Sequence, residues 1–187
     1  MPNTRTHTTI NIPNLLTLSR LLLTPLFIIL LLRGQLRPAV WVFVLAGISD
    51  GLDGLIARLF NQRTVLGAYL DPVADKALLI SAYVCLAYLG IVPTWLSVIV
   101  LSRDILIVIG IAIFTITQKN YRIRPSLISK WTTGAQLVTV MIFLLAFELP
   151  AARLLLPMLV WIVAGLTVIS GLHYIWIGMQ ILQQPED

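Results

Sequence analysis

SDGLDGLIARLFNQRTVLGAYLDPVADK, residues 49–76, sets Asp50, Asp53, Asp71 and Asp75 into a chain that is otherwise apolar. Only 11% of its 187 residues are charged, 58% are apolar, and the mean hydropathy is +0.93. Soluble domains carry charge on about a quarter of their residues. The runs flanking the aspartates approach or exceed the roughly 20 apolar residues that cross about 30 Å of hydrocarbon. They lack the two-residue alternation of transmembrane barrel strands. The sequence therefore predicts an all-α integral membrane protein, and the four carboxylates need a reason to be there.

Apolar windows predict six transmembrane helices, at about 15–32, 39–59, 72–89, 96–117, 133–147 and 154–179. The first is long and has no small-residue cleavage site behind it, so it is expected to stay as a span. An even count puts both termini on one side, together with the loops near 60–70 and 118–131. Those regions hold Arg5, Arg63, Lys119, Arg122, Arg124 and Lys130, with Arg58 at their border, against Arg33, Arg37 and Arg153 opposite. The positive-inside rule makes that side cytoplasmic. Residues 1–187 read as one membrane-embedded domain with short polar tails. Cys85 is the only cysteine, which excludes a disulfide within one chain. The net charge of +5 comes without aromatic and basic residues interleaved on a polar face, so anionic headgroups and phosphates are the expected partners and nucleic acid is not.

Asp50, Asp53, Gly54 and Ala57 are spaced i, i+3, i+4, i+7, which puts them on one helical stripe with Arg58 at its edge. Gly67, Asp71 and Asp75 recur every four residues, one stripe again if that stretch is helical, with Pro72 compatible with a first turn. An ionised Asp at mid-bilayer costs about 2.5–3.5 kcal/mol on insertion scales, so four cost on the order of 10 kcal/mol unless neutralised. Lys76 and Arg58 can offset part of this. Carboxylates converging from two helices more naturally hold divalent cations, and oxygen-only ligation favours Mg2+ or Mn2+ over zinc. The plain alternative is a solvated helical hairpin whose aspartates face a crevice. Gly54, Ala57 and Gly67 beside the carboxylates argue against it by leaving room for a ligand, although small residues also serve close helix packing.

Asp50-x2-Asp53-Gly54-x2-Ala57-Arg58-x8-Gly67-x3-Asp71-x3-Asp75 resembles the signature of the CDP-alcohol phosphotransferase family, with every position filled. The six-helix plan agrees, so the resemblance covers most of the chain. It implies that fold, a homodimer, and a reaction that displaces CMP from a CDP-linked donor with an alcohol. It also implies two Mg2+ or Mn2+ ions on Asp50, Asp53, Asp71 and Asp75, with Asp75 also the base. Gly54, Ala57 and Gly67 would line the cytidine pocket and Arg58 would bind donor phosphate. Within the family, NIPNLLTLSR, LGAYLDPVADK and KWTTGAQ are similar to bacterial members that join CDP-diacylglycerol to glycerol 3-phosphate in the cytoplasmic membrane. The departures are Ser129 and Thr132, where Gly and a second Lys are expected, and Asp104, where Glu is expected after Arg103. The runner-up acceptor is phosphatidylglycerol.

Arg122, Arg124 and Lys130 crowd a cytoplasmic loop, where they suit an acceptor bearing its own phosphate or serve only as a topology signal. Arg20 and Arg103 lie inside apolar spans, where charge is costly, and complete the expected acceptor set. Arg103 and Asp104 are also candidates for a structural role, although adjacent residues do not face each other on a helix. Intramembrane carboxylates mark ion paths in transporters, but here they gather at one side of the membrane on two consecutive helices and form no trail across it. His173, alone among apolar residues, reads as a packed or interfacial side chain and not as a ligand.

Overall fold

The computed structural model describes residues 12–59, 65–116 and 126–182, with the side chains of 12–14, 16, 51–59, 65–73, 75, 111–116 and 181–182 outside that description. Every regular element among the described residues is helical: α1 (Ile12–Leu32), α2 (Leu36–Leu59), α3 (Val65–Tyr88), α4 (Thr94–Ile116), α5 (Leu127–Leu145), a 3-10 segment (Pro150–Leu155) and α6 (Leu156–Leu182). By length and composition, Leu127–Leu145 and Pro150–Gln180 suffice to cross a membrane. Shorter apolar helical stretches cover Thr17–Leu32 and Lys76–Tyr88.

Two boundaries differ from the sequence expectation, for one reason. Hydropathy windows find the apolar part of a helix and overlook a polar turn in front of it. Thus α3 begins at Val65, which puts Gly67, Asp71 and Asp75 on one continuous helix, and Pro72 lies inside it instead of in its first turn. Likewise α5 begins at Leu127, two turns early, because Ser126 caps it: the Ser126 hydroxyl oxygen accepts from the Ser129 N–H at 3.2 Å.

The chain divides into two compact units, Met1–Cys85 and Leu86–Asp187. In the first, α1 and α2 form a helical hairpin. Gly34, at φ +70°, ends α1 in the left-handed conformation, and the N–H groups of Gly34 and Gln35 reach back to the Leu31 and Leu30 carbonyls at 2.9 Å each. The chain can then return at once, and Phe27, Leu31, Ala39, Phe43 and Ala46 are buried, with the Phe27 and Phe43 rings 5.5 Å apart. Within α1, Pro25 removes one backbone donor, and the Thr24 hydroxyl donates to the Arg20 carbonyl at 3.0 Å.

In the second unit the same device recurs at the end of α3, where Gly90 has φ +71° and the Ile91 N–H reaches the Leu86 carbonyl at 2.9 Å. Here α6 packs against both α4 and α5. Trp95 meets Trp161 at 5.5 Å between ring centroids. The α5–α6 connection is tied by Arg153, whose Nε donates to the Ala146 carbonyl at 3.0 Å. Arg153→Ala should therefore lower stability by about 1 kcal/mol, read as a lower thermal midpoint in detergent. An unchanged midpoint would show that this contact contributes nothing.

The outer surfaces are apolar. Leu15, Leu18, Leu22 and Ile29 on α1, Val98, Ile105 and Val108 on α4, and Met158, Trp161, Leu172 and Trp176 on α6 are all exposed. Exposed apolar side chains in such number suit helices that face lipid.

Candidate functional site

Asp50, Asp53, Gly54, Ala57 and Arg58 all fall on the last turns of α2, and Gly67, Asp71 and Asp75 on the first turns of α3. Both carboxylate pairs thus have the helical backbone that their spacing requires. The side chains of Asp53, Ala57, Arg58, Asp71 and Asp75, and the surroundings of Gly54 and Gly67, lie outside the described residues, as do Arg122 and Arg124 altogether.

Asp50 is described, and it has a partner that the sequence placed elsewhere. The Arg20 guanidinium is 1% exposed and its Nη1 lies 2.8 Å from Asp50 Oδ1. A buried cation of this kind needs a nearby anion, because taking it out of water otherwise costs several kcal/mol. Asp50 provides one while its own side chain stays 47% exposed. Arg20, expected among the acceptor residues, is thereby held against the aspartate motif within the first unit. The Asp50 carboxylate is thus anchored on one oxygen and half-exposed, and an oxygen ligand of this kind is compatible with a hard divalent cation.

The second unit contains a buried polar network that joins α4, α5 and α6. Arg103, 4% exposed, donates from Nη1 to Asp104 Oδ1 at 2.8 Å, from Nε and Nη2 to the Ser170 hydroxyl at 3.2 and 3.0 Å, and from Nη2 to the Ser129 hydroxyl at 2.5 Å. Its guanidinium carbon also lies 5.9 Å from the centre of the Tyr174 ring. Farther along α5 and α6, Gln136 Nε2 donates to the Thr167 hydroxyl at 3.1 Å, and the Thr132 hydroxyl lies 2.8 Å from the Ile128 carbonyl and 3.3 Å from that of Leu166. Lys130, between Ser129 and Thr132, is exposed.

Arg103 and Asp104 do pair, although adjacent helical positions diverge. The long arginine stem turns back to the one buried carboxylate beside it, and the same low dielectric that makes a lone cation costly strengthens the contact. Asp104, Ser129 and Thr132, the three departures named from the sequence, all belong to this network. Ser170 and Thr167 were missed by sequence reasoning. Hydroxyls in apolar helices usually bond their own backbone and give little signal; the readable trace was Thr132, Gln136 and Thr139 at i, i+4, i+7, all fully buried. His173 is half-buried and sits beside Tyr174 and Trp176, at 6.5 and 6.3 Å between ring centroids.

Comparison with known proteins adds a relationship. A family model described as CDP-alcohol phosphatidyltransferase matches residues 10–171. Human cardiolipin synthase (CMP-forming) is 33% identical over 193 residues, covering 94% of this chain and 64% of that protein. A probable phosphatidylglycerophosphate synthase of Mycobacterium tuberculosis H37Rv is 33% identical over 172 residues, covering 88% of this chain and 80% of that protein. The CDP-diacylglycerol–glycerol-3-phosphate 3-phosphatidyltransferase of Bacillus subtilis is 31% identical over 185 residues, covering 88% and 93%. The chain thus spans somewhat under two thirds of the human cardiolipin synthase and nearly all of the Bacillus protein.

Proposed function

We infer the activity from one premise: the chain belongs to the CDP-alcohol phosphatidyltransferase family. The reading is that it transfers the phosphatidyl group of CDP-diacylglycerol to glycerol 3-phosphate, giving phosphatidylglycerophosphate and CMP. The observation that carries it is the aspartate motif, complete in sequence, on continuous helices α2 and α3, with its first carboxylate fixed by a buried guanidinium. The name of the Bacillus relative supports the choice of donor and acceptor.

The acceptor hydroxyl attacks the β-phosphorus of the donor, a new P–O bond forms, the bond to the bridging oxygen of CMP breaks, and the hydroxyl proton passes to Asp75. Asp50, Asp53, Asp71 and Asp75 would hold two divalent ions, Mg2+ or Mn2+, whose charge neutralises the diphosphate and the departing CMP. Arg20 keeps the Asp50 carboxylate in one orientation. Arg58 meets the donor's phosphate, and the missing or small side chains at Gly54, Ala57 and Gly67 leave space for the cytidine.

The setting in this reading is a bacterial cytoplasmic membrane, crossed six times, with the site on the cytoplasmic side and the chain paired as a homodimer. The exposed apolar faces and the distribution of Lys and Arg support it. A second reading, phosphatidylglycerol as acceptor, rests on the human relative's name and similarity. Purified protein given CDP-diacylglycerol and Mg2+ should release CMP fastest with glycerol 3-phosphate, when compared with phosphatidylglycerol, inositol, inositol phosphate and serine. Fastest release with phosphatidylglycerol would replace the first reading by the second.

A further inference from the structure

We propose that Arg103 is a positioning residue: it ties the first turn of α5 to α6 and so fixes where the Lys130 ammonium stands, without touching the acceptor itself. The proposal rests on the acceptor reading above. Four hydrogen bonds from its three nitrogens end on Asp104, Ser129 and Ser170, and the guanidinium is almost wholly buried. Asp104 matches its charge at 2.8 Å. An incoming phosphate would have to displace these partners, in an environment where each broken bond leaves a buried polar group behind.

The bonds are placed to hold a turn. Ser126 caps α5, and the Lys130 N–H closes its first backbone bond on the Ser126 carbonyl at 3.2 Å. The residue before Lys130 is held by Arg103, and the residue two after it, Thr132, lies within 3.3 Å of the Leu166 carbonyl of α6. Lys130 is therefore an exposed cation on a backbone anchored on both sides. Because Asp104 balances Arg103, the network beneath adds no net charge, and among the described residues of this turn the field felt by an acceptor anion comes from Lys130. α6 approaches closely at this point: a Cβ at Gly171 would stand 3.8 Å from the Arg103 stem, an ordinary contact.

Ser170→Ala removes one hydroxyl that accepts from Arg103 on the α6 side, and Ser129→Ala removes the one on the α5 side while leaving the backbone cap. Measured on the purified full chain by CMP release, each should raise the KM for glycerol 3-phosphate by about 3- to 10-fold, with kcat and the CDP-diacylglycerol KM within about twofold of wild type. Ser170→Thr, which keeps the hydroxyl, should restore the acceptor KM. In a Lys130→Ala background, Ser170→Ala should add little further, since the two changes act on one contact. If Lys130→Ala raises the acceptor KM and Ser170→Ala multiplies that effect independently, the positioning role is wrong and the acceptor reading stands. If Lys130→Ala leaves the acceptor KM unchanged, Lys130 is no acceptor contact and the positioning role falls, whereas the acceptor reading falls only if the wild-type protein releases no CMP with glycerol 3-phosphate. A Ser129→Ala or Ser170→Ala variant that loses kcat at unchanged acceptor KM also overturns the proposal.

Discussion

Replacing Asp75 by Asn should cut kcat for CMP release by about 10²- to 10⁴-fold while CDP-diacylglycerol still binds, because general-base catalysis contributes on that scale. The amide keeps the shape of the carboxylate but cannot accept the acceptor's proton. Asp75 lies on α3 one turn beyond Asp71 and two beyond Gly67, on the same helical row. Loss of a metal-binding oxygen would depress activity too, and the two effects respond differently to added metal. A binding defect is relieved at high Mn2+, whereas loss of the base persists at saturation. Turnover close to wild type in the purified variant would remove Asp75 from the proton-transfer role. Full recovery at high Mn2+ would leave it a metal ligand only.

The helical architecture was legible because long apolar runs without two-residue alternation leave only helices, and two of them, Leu127–Leu145 and Pro150–Gln180, are long and apolar enough to cross a membrane. Two starts were not, because the information there is of another kind. At α5 the signal is a serine whose hydroxyl takes an orphan N–H, three residues before Ser129, in a stretch where Lys130 lowers the local hydropathy. At α3 it is simply that a polar turn can be helical when it continues an apolar helix. The aspartates were legible as costly charges at helical spacing. Arg20 was legible in the same way, as an arginine in an apolar run, but its partner was not. Residues 20 and 50 meet only because Gly34 lets α1 turn straight back along α2, and no pattern within either helix contains that fact. Arg103 is the counterpart in the second unit. Its cost was visible, whereas the hydroxyls that receive its hydrogen bonds, on α5 and α6, look in sequence like any serine in a membrane helix.

Lys130→Ala and Arg124→Ala should each reduce kcat/KM for glycerol 3-phosphate by about 10- to 100-fold, chiefly through the acceptor KM, since a charge-assisted hydrogen bond contributes roughly 1.5–3 kcal/mol. Lys130 is exposed at the start of α5, where its ammonium can meet a soluble anion, and Arg124 stands six residues before it in the sequence. The donor KM should move far less, because the proposed function assigns the donor's phosphates to Arg58 and the aspartate motif. The size of the effect also depends on the acceptor's charge. Glycerol 3-phosphate carries a phosphate monoester that is close to dianionic at neutral pH, whereas the diester of phosphatidylglycerol carries a single charge already held at the membrane surface. Loss of one cation should therefore penalise the soluble acceptor more. If both variants keep wild-type kinetics with glycerol 3-phosphate, the basic residues only set topology and the acceptor phosphate binds elsewhere. If the wild-type protein ignores glycerol 3-phosphate and consumes phosphatidylglycerol, the cardiolipin reading replaces the first.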